Sequence, residues 1–167
     1  MIAHLVCVLS LVVFYILQTS IFSQAALISG TADLILLFFA AWSLQEQVKN
    51  RWLWAAIGGL LISIVSAMPF YAPLIGYLGV VGISKLLQRR VWQVPIQAMF
   101  IVTLVGTLFQ HIVYVIALQI NGAPISWAQS LDMVILPSVL LNLIFALPMY
   151  AIVNDLVGRI YPLEAET

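Results

Sequence analysis

Charge is what this sequence has least of. Of its 167 residues only 7% are charged, against 64% hydrophobic. A soluble domain carries about 25% charged residues. The polar surface is too small to cover a water-soluble globule, so the expectation is an integral membrane protein with no soluble domain beside it. The net charge is zero, and no basic cluster is large enough to hold nucleic acid. There is one cysteine, Cys7, which excludes an intrachain disulfide and any CxxC motif. It falls in an apolar run and reads as a small buried hydrophobe. The three aspartates, Asp33, Asp132 and Asp155, leave little from which to build a proton relay. His4 and His111 are far apart, no metal-ligand spacing occurs, and neither a Ser/His/Asp set nor a glycine-rich phosphate loop is visible. No cofactor, no metal and no enzymatic activity are expected.

The chain does have long apolar runs, at Ala3–Phe22, Ala26–Leu44, Trp52–Met68, Tyr71–Leu87, Val94–Ile120 and Met133–Val157. A bilayer crossing takes roughly 20 apolar residues. The third and fourth runs are short, and Met68-Pro69-Phe70-Tyr71-Ala72-Pro73 separates them, because proline removes a donor and clashes with the preceding turn. The first run has no basic leader and no small-residue cleavage site, so it reads as a retained helix rather than a signal peptide. No internal repeat is evident. The predicted fold is therefore an all-α bundle of six transmembrane helices forming a single domain over residues 1–167.

Every basic residue lies in one set of alternate gaps: Lys49 and Arg51, then Lys85, Arg89 and Arg90, then Arg159 near the C-terminus. The positive-inside rule places those gaps and both termini in the cytoplasm. Trp42, Trp52, Trp54 and Trp92 fall at the same ends, where amphipathic rings favour the headgroup layer, and Trp127 and Tyr71 would do so outside. In the longest outer gap, 121–132, Asn121-Gly122 ends the fifth helix with residues that tolerate positive φ. Ser126 and Gln129 have capping-box spacing. A short interfacial helix or an extended start of helix six would follow, with Pro137 kinking the sixth span.

Small residues line two helices: Ala55, Gly59, Ser63 and Ser66 on the third, Ala72, Gly76, Gly79 and Gly82 on the fourth. Such stripes let helices approach closely. They are either the seam between these two helices or a surface for a partner's helix. Thr103, Gly106, Thr107, Gln110 and Tyr114 share a face of the fifth span with His111 beside it, and the sixth carries Ser138, Asn142 and Ala146. These polar groups either bond neighbouring helices or line a cavity or partner site. Asp33, after Ser29-Gly30-Thr31, also has two readings: a functional carboxylate within a span, or an interfacial cap of helix two. Asp155 and Arg159 have the spacing of an exposed helical pair, and Asp132 reads as interfacial.

Several segments resemble the bacterial rod-shape-determining MreD family. Ala32-Asp33-Leu34-Ile35-Leu36 is similar to that family's acidic head of helix two, Gly58-Gly59-Leu60-Leu61-Ile62-Ser63 to its third helix, and Gly76-Tyr77-Leu78-Gly79 to its fourth. The basic Lys85–Arg90 loop follows in the same order. The stretch from Pro137 to Tyr150, with Ser138, Asn142, Ala146 and Pro148, is similar to its last helix. The family's third helix often carries an aspartate where this chain has Ser63, so a buried acid in helix three does not carry over, and the stretch from Pro69 to Gly76 is short. The resemblance implies a non-enzymatic inner-membrane scaffold of the cell-elongation complex, which directs lateral peptidoglycan synthesis and maintains rod shape. Its implied partners are a single-span MreC-like protein, the actin-like MreB and the elongation glycosyltransferase and transpeptidase. It also implies the fold of the substrate-binding component of energy-coupling factor transporters, and a vitamin- or metal-binding component of that kind is the alternative function. Asp33, Gly59, Ser63, Gly76, Gly79, Gln110 and Asn142 are the candidate partner or cavity residues.

Overall fold

A computed structural model describes residues 2–22, 27, 29–88 and 94–161. Six helices make up the fold, and no strand occurs among the described residues. Helix α1 spans Ile2–Leu17 and runs on as a π-helical turn, Gln18–Phe22. It is followed by α2 (Leu34–Leu44), α3 (Arg51–Val65), α4 (Tyr71–Gln88), α5 (Pro95–Ile120) and α6 (Trp127–Ile160). Helices α5 and α6 are long and apolar enough to cross a membrane.

The bundle is built around α2. Its residues from Leu34 to Ser43 are all buried, and α1, α3, α4, α5 and α6 all pack on it. A helix that is hydrophobic all round belongs in the middle of a structure. Phe38 and Phe39 extend the core sideways: Phe38 meets Phe14 of α1 at 5.4 Å between ring centroids, and Phe39 meets Tyr77 of α4 at 5.6 Å. On α1, Cys7, Leu11 and Phe14 recur at helical spacing and face the core, whereas Leu5, Leu9, Val12 and Ile16 face out.

Polarity is inverted relative to a water-soluble bundle. Thr103, Thr107, Gln110, Ser138 and Asn142 are buried, while Leu60, Leu61, Ile64, Ile116, Leu140 and Ile144 are exposed.

The helix ends follow local chemistry. Pro69 stands between α3 and α4, and its carbonyl accepts from Ala72 N at 2.8 Å. Gly122, at φ 83°, turns the chain after α5, the conformation expected of the Asn-Gly pair. Ahead of Pro137 the sixth helix loosens into a π-helical turn, Leu131–Ile135, and the helix is continuous from Trp127. The 121–132 gap thus holds an extended start of α6 rather than a separate interfacial helix.

Four expectations need correction. The second run is helical only from Leu34: Leu27 and Gly30 exchange two backbone hydrogen bonds in a turn, and Thr31–Asp33 is extended. The capping box at Ser126 is not made, for its side chain bonds no helix N–H. Trp42 and Trp54 do not turn their rings outward; both are buried in the bundle, with Trp42 stacked on Phe38 at 5.4 Å. Trp52 is exposed, and Trp92, with Arg89 and Arg90, lies outside the described residues. Finally, the α4 stripe is not one seam with α3. A Cβ on Gly59 would sit 2.8 Å from Leu74 Cα of α4, but one on Gly76 would meet Gln110, and one on Gly79 would meet Phe109, both on α5.

Candidate functional site at the head of the central helix

Asp33 is the N-cap of α2: its Oδ1 accepts from Leu36 N at 2.8 Å. A carboxylate there satisfies an orphan amide and faces the positive end of the helix dipole. The same carboxylate is held from two other helices. Tyr77 Oη of α4 donates to Oδ2 at 3.1 Å, and Gln110 Nε2 of α5 donates to Oδ2 at 2.9 Å. Gln110 Nε2 also reaches Tyr114 Oη at 2.8 Å. Asp33 is therefore the cap of helix two, as one of its two readings expected, and its carboxylate is also bonded within the bundle.

The extended residues before α2 would leave several backbone groups bare inside the bundle, and side chains from distant helices meet them. Asn142 Oδ1 of α6 accepts from Asp33 N at 2.7 Å, and Ser138 Oγ accepts from Thr31 N at 3.1 Å. From the π turn after α1, Gln18 donates to Ala32 O and accepts from Leu34 N, each at 2.7 Å. Asn142 Nδ2 completes the ring by donating to Thr107 Oγ1 at 2.9 Å. Five helices are tied at one point. A buried polar network specifies a unique arrangement only when its members are satisfied. One acceptor of the network falls short: Gln110 Oε1 is buried without a partner among the described residues.

Close packing makes this geometry possible. A Cβ on Gly30 would lie 2.7 Å from both Ser138 N and Val134 O, so the chain passes against the α6 backbone where only glycine fits. Gly76 clears room for the Gln110 side chain, 2.9 Å from where its Cβ would be.

Of the predicted site residues, Asp33, Gly76, Gln110 and Asn142 come together here. Gly59, Ser63 and Gly79 do not. Ser63 Oγ lies 2.7 Å from Gly59 O and 2.5 Å from Phe70 O, fastening the α3–α4 connection. Gln18 was not anticipated, and Tyr77 was noted only within a glycine motif. A lone glutamine in an apolar helix was the available signal for the first.

The chemistry of the cluster is that of a lock. His111 Nδ1 is engaged with Thr107 O at 2.9 Å. No cluster of three His, Cys, Asp or Glu side chains occurs among the described residues. Beside the network lies a cavity of about 370 Å³, whose walls include Thr31, His111, Tyr114, Ile125, Ser130 and Ser138. No protein-family model, curated protein or solved structure matches the chain.

Proposed function

We propose that this chain is a six-span protein of the bacterial inner membrane, with both termini cytoplasmic, that acts as a non-enzymatic scaffold of the MreD type in the cell-elongation complex. The carrying observation is that two of the segments behind that resemblance meet directly. The Ala32–Leu36 segment and the Pro137–Tyr150 segment are joined by the bond from Asp33 N to Asn142 Oδ1 at 2.7 Å. Membrane embedding is supported by the apolar exterior over a polar interior, since in lipid polar groups must find partners within the protein. The orientation is supported by Lys49, Arg51 and the end of α6 lying together. Arg51 bonds Gln88 at the end of α4, and Lys49 shares a cavity with Tyr161.

A rigid body is what a scaffold must supply. The Asp33 lock fixes the mutual positions of the helices, and the outward apolar faces of α1 and α3, with Leu5 and Ile64 the most exposed, offer lipid-facing surface to a single-span MreC-like helix. Through it the chain would link actin-like MreB filaments to the peptidoglycan glycosyltransferase and transpeptidase.

The cavity beside the lock favours a second reading, the substrate-binding component of an energy-coupling factor transporter for a vitamin or metal. Purification from the native membrane in mild detergent, with mass spectrometry of what accompanies the chain, separates the two. A single-span coiled-coil protein with cell-wall synthesis enzymes is the expected result. A coupling subunit with paired ATPases would overturn the scaffold in favour of the transporter.

A further inference from the structure

Helix α2 is short for the bundle it centres. Its 11 residues rise about 16 Å, roughly half the thickness of a bilayer's hydrocarbon core. Its neighbours run well past its head. Asn142, which accepts from Asp33 N, stands about 22 Å along α6 from Trp127, and Gln110 stands about 15 Å short of the end of α5. The extended Thr31–Asp33 stretch fills only part of the space so left. Between α5 and α6, against that stretch, lies the cavity of about 370 Å³, a volume within the range of small-molecule sites.

Its wall differs from the lock beneath it. No Asp, Glu, Lys or Arg lines the cavity. Asp33 is not in the wall, and its oxygens already accept from Leu36 N, Tyr77 and Gln110. Three lining groups keep unused hydrogen-bonding capacity. His111 Nδ1 meets the Thr107 carbonyl, which can only accept, so Nδ1 carries the proton of the neutral ring and Nε2 is left an acceptor. Nε2 has no partner among the described residues and is not a buried atom, so it is open to a ligand. The same holds for Thr31 Oγ1. Ser138 Oγ accepts from Thr31 N and keeps its own proton to give. Val115 and Ile135 add an apolar side.

We infer that this cavity binds an uncharged small molecule with an apolar face and a polar edge that both donates and accepts, an amide or an alcohol. A donor on that edge meets His111 Nε2, and an acceptor takes the proton of Ser138 or Thr31. An anion finds no cation here, a cation finds no free carboxylate, and one imidazole without a thiolate or carboxylate does not make a metal site. The site rests on the cavity alone. Under the transporter reading its occupant is the cargo, and under the scaffold reading a bound effector, so neither result of the co-purification decides it.

The test uses the full chain in detergent with five probes of similar size: benzamide, benzyl alcohol, benzoate, benzylammonium and toluene. Binding is read as a rise in the unfolding midpoint, and as protection of Leu118→Cys, in a Cys7→Ala background, from a maleimide. Benzamide and benzyl alcohol should stabilise and protect, and the other three should not. His111→Phe should weaken benzamide about tenfold, the equivalent of one hydrogen bond. Thr31→Val, which removes only a hydroxyl, should weaken it severalfold and reads the site even if His111→Phe fails to fold. Ile64→Ala, on an exposed face of α3, should change nothing. Toluene acting as well as benzamide, with no effect of His111→Phe or Thr31→Val, would overturn the proposal in favour of a cleft filled by lipid. Equal action of benzoate or benzylammonium would overturn the uncharged class, and no protection by any probe would overturn the site itself.

Discussion

The two ends of α2 are both dressed with polar side chains, yet they are built differently. At the Asp33 end the partners come from residues 16, 44, 77 and 109 positions away, on four other helices. At the Arg51 end they come from the next turn and from α4, at separations of 3, 8 and 37. The first end is a meeting point of the whole bundle; the second is a local buckle. Their leftover valences differ as well. The Asp33 end has a spare acceptor, Gln110 Oε1, and the Arg51 end has spare donors, Trp42 Nε1 and Gln45 Nε2. A short helix dipole with an anion at its start and a cation at its close is satisfied electrostatically at both ends, but only one end determines how the helices are arranged.

This contrast sets an order of effects. Asp33→Leu strips the acceptor from Tyr77, Gln110 and the Leu36 amide, and should lower stability by about 2–4 kcal/mol, read as unfolding in detergent. Asp33→Asn keeps the cap on Leu36 N but puts an amide nitrogen where Tyr77 and Gln110 donate, so both must turn to accept from it, and it should cost about 1–2 kcal/mol. If the two variants are equally damaging, the negative charge rather than the hydrogen-bonding geometry is what matters. Next comes Gly30→Ala, where backbone atoms of α6 stand 2.7 Å from the new carbon. It should cost about 1–3 kcal/mol, whereas Gly82→Ala, with only Trp52 at 3.5 Å, should stay within about 0.5 kcal/mol. Arg51→Lys should cost about 1–2 kcal/mol in the same assay, because a lysine cannot reproduce the fork that reaches Ser43 O, Val48 O and Gln88 together. A lysine that fully rescued would show that charge alone closes the helix. The smallest effect belongs to Asp155→Asn. Its pair with Arg159, at 2.9 Å, leaves both side chains mostly exposed, and no change in the unfolding midpoint should be measurable.

Hydropathy made the six helices legible, and all but the second begin within about six residues of the start of their apolar runs. The second did not yield to it. Residues 26–44 are uniformly apolar except around Asp33, and nothing local says that helix starts only at Leu34. The backbone of Thr31–Asp33 can be extended because Ser138, Asn142 and Gln18 satisfy it, and no window of sequence contains those partners. The candidate site was legible as separate polar residues on separate helices. Asp33, Gln110 and Asn142 stood out because polar groups are scarce, but their convergence is a property of packing. The tryptophans misled for a related reason. Their spacing from the charged gaps says which end of the bundle they occupy, while the burial of the Trp42 and Trp54 rings is a property of packing. The glycines of α4 were visible as a stripe, but which neighbour each one admits was not.

The Asp33–Asn142 bond also has a consequence in time. The ribosome makes Asn142 109 residues after Asp33, a delay of about 5–20 s at ordinary elongation rates. Through that interval the Asp33 amide has no Asn142 to accept from it, while five helices are completed. Synthesis of the last helix supplies that acceptor, so truncation anywhere before Asn142 should leave a chain whose helices form but never lock.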